Sequence, residues 1–317
     1  MIDFRYHLVS LIAVFLAIAL GIVIGTTALN QPLLTDIKGQ VSSLEQDKRS
    51  LEDQTRQLKS QVSAGNAFEQ AVAPALVSAS LTGRKVLLIA ANDKVPADTI
   101  QKIGALVGQA GGSVSGIIHL QPAYTDPGQA SAIQTYVTGP GKPATVTLPQ
   151  TDDARQLVAA LLADVLMTPS QQTTAGTDTA AISSVLAGLS ALHALSQDSS
   201  SVTPSDYALL LTADAFTGKD AGTRNAALVD LAAALDTAGS GAVVAGDATS
   251  AGDNGLVGVL RNNPTVSAAV STVDNVTTPA GQLSSVLALS RERQGTSGKY
   301  GTGQDTQPVP PVAGATP

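Results

Sequence analysis

The sequence predicts an α/β fold made of a single N-terminal transmembrane helix, a coiled-coil stalk and a doubly wound, mainly parallel sheet of about five strands. Three observations lead to this prediction. An uncharged apolar run opens the chain, a heptad pattern follows it, and short apolar segments then alternate with amphipathic ones. Apolar strands separated by helices are typical of a parallel sheet that is covered by helices on both faces.

The first element, residues 1–29, is expected to be a membrane anchor. The run from Leu8 to Leu29 contains 22 residues without a charged side chain, which at about 1.5 Å per residue is long enough to cross a hydrocarbon core. A cleaved signal peptide is the alternative, but its apolar region is shorter and its start is more basic. Arg5 favours a cytoplasmic N-terminus, so the rest of the chain is expected to be exported.

Small residues recur at every fourth position of this run. They are Ala13, Ala17, Gly21 and Gly25. This spacing places them on one helix face, where two membrane helices can approach closely. Because Ala and Gly are common in membrane helices, the pattern also arises without pairing.

Residues 30–73 show the pattern of a coiled coil, which begins past a break at Asn30-Gln31-Pro32. Apolar side chains recur at alternating spacings of three and four residues, and Pro74 is expected to stop the helix. We expect a parallel homodimer, with an antiparallel hairpin within one chain as the alternative. The expected dimer seam is Leu34, Ile37, Val41, Leu44, Lys48, Leu51, Thr55, Leu58 and Val62.

Residues 80–293 are expected to form an α/β domain with a sheet of the Rossmann or flavodoxin type. The predicted strands are 85–90, 113–120, 207–211, 242–245 and 266–272. The predicted helices are 98–109, 152–167, 180–195, 224–235, 256–261 and 282–291.

Two polar segments are expected to lack regular structure. The stretch 169–180 lies between two predicted helices and is expected to be a flexible loop. Residues 294–317 are rich in Gly, Pro, Thr and Gln and are expected to be a disordered tail, because such a composition cannot form a core.

The composition argues against several kinds of partner and site. The net charge of −7 disfavours nucleic acid. The absence of cysteine excludes disulfides and thiol catalysis. His7, His119 and His193 have no paired spacing, and no nucleophile and base pair is visible, so we expect neither enzyme activity nor a cofactor.

Four aspartates follow predicted strands and form a candidate crevice. They are Asp93, Asp214, Asp247 and Asp274. The carboxyl ends of parallel strands share one crevice, where carboxylates could hold a hard cation or a polar ligand. We favour the alternative that each one caps the next helix or forms an Asx-turn.

Several segments carry a family resemblance. They are the start MIDFRYHLVSLIAVFLAIALGIVIG, the heptads, KVLLIAANDKVPADTIQKIGALVGQAGGSV, STVDNVTTPAGQLSSVLALS and KYGTG. Together they resemble the mycobacterial copper transport protein B family of actinobacteria, from residue 1 to about 303. The resemblance implies an envelope protein of copper efflux and homeostasis, described as a channel of the mycobacterial outer membrane.

The residues themselves argue against a channel of the barrel type. Barrel strands alternate lipid-facing and lumen-facing side chains, whereas the strands predicted here are apolar throughout and separated by helices. Cu(I) prefers thiolate and thioether ligands, and Met167 has no Met or His neighbour one turn away. The metal ligands are therefore unknown, and copper as a partner is implied by the resemblance alone.

Two functions remain open from the sequence. The first is a copper-efflux or outer-envelope transport component in the cell membrane, with the outer membrane also implied by the resemblance. The second is a non-enzymatic homodimeric scaffold that docks cell-wall or cell-separation partners. An enzyme acting in the crevice is a third class with less support.

Overall fold

The computed structural model describes residues 4–169, 179–198 and 201–311, with the side chains of residues 27–35 excluded. The chain divides into two compact units, Met1–Gly65 and Asn66–Pro317. We call the second unit the head. Most of the polar stretch expected to be a flexible loop, residues 170–178, lies outside the described residues.

A single long helix, α1, runs from Phe4 to Val77. Its first part, Phe4–Thr26, is apolar, exposed and long enough to cross a membrane. The expected break at Pro32 is wrong, since α1 continues through it. A proline removes one backbone hydrogen bond and can kink a long helix without ending it. Pro74 likewise lies inside α1, whose last turn extends to Val77.

The head contains one mostly parallel sheet. Its strands are β1 (Lys85–Ala90), β2 (Ser113–Leu120), β3 (Leu195–Gln197), β4 (Tyr207–Thr212), β5 (Ala242–Gly246), β6 (Ser271–Val273) and β7 (Lys299–Tyr300). The strand order is β3-β2-β1-β4-β5-β6-β7. All neighbours are parallel except β2 and β3. The order changes direction between β1 and β4, which is the place where ligands bind in open α/β sheets.

Helices cover both faces of this sheet. They are α2 (Ala97–Gln109), α3 (Pro122–Thr125), α4 (Ala130–Thr138), α5 (Ala154–Leu166), α6 (Thr179–Ala191), α7 (Ala221–Ala238), α8 (Leu256–Arg261), α9 (Pro264–Ser267) and α10 (Pro279–Glu292), with 3₁₀ turns at Pro127–Gln129 and Thr249–Ala251. The end of α1 packs with α2 and α10 on one face, and α4 to α8 supply the core of the other.

Alternate side chains of the central strands fill the two cores. Val86 and Leu88 of β1 pack with the α2 and α10 side, whereas Leu87 and Ile89 pack with the α5 and α7 side. Successive side chains of a strand point to opposite faces. A strand that is buried on both faces must therefore be apolar at its buried positions, as the run 86–90 is.

Two predicted elements differ in the structure. The predicted strand 266–272 begins as helix α9, because Asn263 accepts a hydrogen bond from the Val266 N–H at 3.3 Å and Pro264 occupies the first helical turn. Only Ser271–Val273 is a strand. The predicted helix 180–195 ends at Ala191, and Leu195 already belongs to the antiparallel edge strand β3.

The segment after residue 293 also differs from the expected disordered tail. Lys299 and Tyr300 form β7 beside β6, and Tyr300 is buried. This order comes from partners elsewhere in the head, described below, and not from the composition of the segment itself. Residues 312–317 lie outside the described part of the chain.

Candidate functional site

The four aspartates of the candidate crevice follow β1, β4, β5 and β6, as the sequence predicts. The structure gives them different surroundings. Asp274 is 1 % exposed and forms an ion pair with Arg261, whose Nη1 lies 2.8 Å from its Oδ2. Asp274 also accepts backbone hydrogen bonds from Thr302 at 2.7 Å and Gly303 at 3.0 Å. Its carboxylate is therefore occupied in holding the C-terminal segment.

Asp214 and Asp247 lie next to each other at the ends of β4 and β5. The backbone N–H of Asp214 donates to Asp247 Oδ1 and Oδ2, at 3.2 and 3.1 Å. Asp247 Oδ1 also accepts the N–H of Ser250 at 2.8 Å. The φ of Asp214 is +59°, a left-handed conformation that aspartate tolerates. Asp247 thus stabilises two turns.

The place between β1 and β4 is closed by a side chain that the sequence did not single out. Asn92 Nδ2 donates to the carbonyl oxygen of Ala213 at 2.7 Å, which joins the ends of the two strands. Asp93 points away from them into solvent, near Lys94. Among the residues that the structure describes, no group of three or more His, Cys, Asp and Glu side chains is placed to hold a metal ion.

The histidine and methionine candidates of the head have local structural roles. His119 Nε2 lies 2.7 Å from Asp198 Oδ2 at the edge where β2 meets β3. His193 sits in the turn after α6, with a φ of +54°. The Met167 side chain is buried against Gly239 in the core. Its thioether is packed inside the head, away from solvent.

A polar cleft lies at the amino-terminal ends of the strands, at the opposite end of the sheet from the four aspartates. It has a volume of about 670 Å³, and its charged lining residues are Arg84, Asp236, Glu292 and Arg293. Glu292 is almost fully buried at the end of α10, and its Oε1 accepts the N–H of Ser271 at 2.9 Å. Burial raises the pKa of Glu292 to about 7, and the charge of Asp236 raises it further. Burial also raises the pKa of Asp236.

This cleft carries no signal in the linear sequence. Glu292 stands at the end of an amphipathic helix, in the sequence Arg291-Glu292-Arg293, where a charged residue is normally exposed. Its burial follows from the approach of Gly241, where an added Cβ would lie 2.3 Å from the Glu292 Cβ. Only the packing of α10 against the turn before β5 makes this carboxyl an interior group.

The expected dimer seam is an exposed stripe on α1. Its apolar members with described side chains are between 49 and 73 % exposed; we call them the stalk stripe, namely Ile37, Val41, Leu44, Leu51, Leu58 and Val62. The polar seam residues Lys48 and Thr55 are exposed as well. The side chain of Leu34 lies outside the described residues.

The small residues of the membrane segment point in a different direction from the stalk stripe. The added Cβ atoms of Gly21 and Gly25 would meet nothing within 4 Å. The step from Gly25 to Ile37 turns an α-helix by about 120°, at 3.6 residues per turn. In one regular helix, the two faces therefore cannot both face the same partner.

Comparison with known proteins places the chain in a family. The family model described as "Copper transport outer membrane protein, MctB" matches residues 1–311. Proteins named copper transporter MctB from Mycobacterium tuberculosis and Mycobacterium bovis are 30 % identical over 98 % of this chain and 99 % of their own length. The Mycobacterium leprae protein of that name is 29 % identical over 96 % of this chain and 97 % of its own. The chain belongs to the MctB family of copper transport proteins.

Proposed function

We propose that this protein is a membrane-anchored component of copper efflux, with copper as its cargo. The observation that carries the proposal is the family match over residues 1–311, which includes the apolar segment of α1 and the whole described head. The relatives are named copper transporters, and they are as long as this chain. A role in transport follows from that name and not from a catalytic arrangement.

The anchor is proposed to lie in the cytoplasmic membrane, with the N-terminus inside and the head exported. Phe4–Thr26 is the one described helix long and apolar enough to span a bilayer, and Arg5 at its start favours a cytoplasmic N-terminus. The head supports this placement because both faces of its sheet are covered by helices. A sheet of this kind is suited to an aqueous compartment.

We further propose that the protein acts as a homodimer in the cell envelope, with the heptad segment of α1 as the coiled coil that joins the two copies. The exposed stalk stripe supports this assembly, since soluble proteins rarely leave an extended apolar stripe in water. With one spanning segment among the described residues of each chain, any pathway across the membrane needs an assembly of several chains.

The function is tested in a strain that lacks this protein. We expect the strain to accumulate more cell-associated copper than its parent and to grow poorly in added copper. The full chain should restore both properties, whereas a variant without residues 4–26 should not. Normal copper content and growth in the deletion strain would overturn the proposal.

The placement is tested separately by fractionation. We expect the full chain to sediment with the cytoplasmic membrane, and added protease to digest the head only after the outer layers of the envelope are opened. Sedimentation with the outer membrane would contradict the proposed placement while leaving the role in copper efflux open to the first test.

A further inference from the structure

The spacing of the stalk stripe favours a partner helix that has the same repeat. Together with Lys48 and Thr55, its members recur every three or four residues over seven turns of α1, and they are at least 49 % exposed. Such a row fits another helix with the same repeat, because each side chain then inserts between four side chains of the facing helix. A second copy of this chain supplies that repeat in full.

We propose that the stalk stripe binds the stalk stripe of a second copy in a parallel, in-register, two-stranded coiled coil. The inference rests on the proposed anchoring for its direction. Two chains that enter the same membrane with the same orientation at Phe4–Thr26 have helices that leave that membrane in the same direction. Their stalk stripes then meet side by side with equal residues opposite each other.

The charges beside the stripe oppose the antiparallel register in which Leu44 lies opposite the partner's Thr55. Lys38, Glu45, Glu52 and Lys59 occupy the e positions that follow the d positions. In that antiparallel register, e positions face e positions, so Lys38 would meet the partner's Lys59 and Glu45 would meet the partner's Glu52. Every such contact joins like charges, which is unfavourable.

The parallel arrangement has a single like-charge contact. There, each g position faces the following e position of the partner. Gln40 faces the partner's Glu45 and Gln54 faces the partner's Lys59, which are neutral contacts. Asp47 of each chain faces Glu52 of the other, and this contact, formed twice by symmetry, is the unfavourable one.

Lys48 offsets that unfavourable pair. Its Nζ lies 3.7 Å from Glu52 of the same chain, so each Glu52 brings a cation with it. Lys48 also occupies an a position, which in a parallel pair lies beside the partner's Asp47. Two lysines opposite each other in the seam disfavour higher oligomers, whose cores are drier, and they penalise a shift of register.

Cysteine cross-linking tests this assembly in intact membranes of cells that make the full chain. The natural sequence has no cysteine, so one substitution gives one reactive site. Leu44→Cys and Leu58→Cys should each shift the 31.9 kDa chain to twice its mass on mild oxidation and non-reducing electrophoresis, because only a parallel, in-register pair brings each residue within disulfide distance of its equivalent. Gln46→Cys, on the outer face, is the matched control and should stay monomeric.

The alternatives give different bands. In the antiparallel register described above, Leu44 lies opposite the partner's Thr55. Chains with Leu44→Cys and Thr55→Cys would then cross-link when made together, but neither would when made alone. Any of three results would overturn the proposal: cross-linking only when the Leu44→Cys and Thr55→Cys chains are made together, a shift with Gln46→Cys equal to that with Leu44→Cys, or no shift at either seam position. None of these readouts uses copper, so failure here is distinguishable from failure of the copper-efflux role.

Discussion

Arg261 Nη1 lies 2.8 Å from Asp274 Oδ2 inside the head, and Arg261 Nη2 donates to the carbonyl oxygen of Tyr300 at 2.9 Å. One guanidinium therefore binds the end of β6 and the edge strand β7 together. Asp274 completes the arrangement by accepting the N–H groups of Thr302 and Gly303. An aspartate that the sequence offers as a ligand thus stabilises the fold.

Replacing Asp274 should strongly destabilise the head. In Asp274→Ala, the side chain of Arg261 becomes a buried, unpaired charge, and we expect the free energy of unfolding to fall by about 3–5 kcal/mol. Denaturant unfolding of the full chain in detergent, followed by tyrosine fluorescence, measures the loss. The control is Asp93→Ala, whose exposed carboxyl should cost less than about 0.5 kcal/mol. Equal stability of the two variants would show that the ion pair contributes nothing.

The stability of the head should depend on pH through Glu292. Its pKa is about 7 in the folded head against 4.5 for an ordinary glutamate, so the folded state binds the proton more tightly. The stabilisation is full below about pH 4.5, is lost as the pH rises towards 7, and changes little above that. The loss is about 1–3 kcal/mol.

Glu292→Gln tests this dependence, because its amide oxygen can still accept the Ser271 N–H. The variant should be more stable than the parent at pH 8 and should show a smaller change in unfolding free energy between pH 5 and pH 8. Asp236 remains in the variant and gives a residual slope of the same sign. An unchanged pH profile of the unfolding free energy would show that a group other than Glu292 causes the dependence.

Gly241 should not tolerate a side chain. Its φ of +143° is a conformation that favours glycine, and an added Cβ would meet the Cβ of Glu292 at 2.3 Å. We expect Gly241→Ala to cost about 2–3 kcal/mol through strain and displacement of α10. Gly222→Ala in the first turn of α7 is the matched control, since an added Cβ there meets nothing within 4 Å and Ala favours a helix. Thermal unfolding of both variants gives the comparison.

Met167 should act as a core residue and not as a copper ligand. Its side chain is 1 % exposed. Met167→Leu keeps the volume and removes the sulfur, so we expect it to restore copper resistance to the deletion strain as well as the parent chain does. Met167→Ala should instead cost about 2–5 kcal/mol of unfolding free energy. Loss of copper resistance in a stable Met167→Leu protein would contradict this assignment.

The central strands could be predicted from the sequence because their buried positions require apolar residues. Segments 85–90 and 113–120 coincide with β1 and β2: β1 carries the apolar run that burial on both faces requires, whereas β2 buries only alternate residues. The edge strands β3 and β7 could not be predicted, since three and two residues carry no periodicity. The order of β7 depends on neighbours such as Arg261, which lies far away in sequence.

The candidate site was predictable only in part for the same reason. The four aspartates do follow strands, because turn chemistry is local. Their partners are not local: Asn92 reaches Ala213, and Asp274 reaches Thr302. Glu292 was missed because a charged residue at a helix end is normally solvated, and only the tertiary packing buries it. The coiled coil stays a prediction, since its partner is a second chain.

The edge strand β7 has a consequence for how this protein is made and handled. Because Lys299 and Tyr300 cover β6, a nascent chain cannot complete its sheet until almost all of it has left the ribosome. Truncation at residue 293, for example to help crystallisation, would remove β7. It would leave the backbone N–H and C=O groups along one side of β6 without partners. An unpaired edge strand promotes aggregation. Shortened versions should therefore retain the chain at least to residue 307, whose backbone N–H donates to the carbonyl oxygen of Lys299.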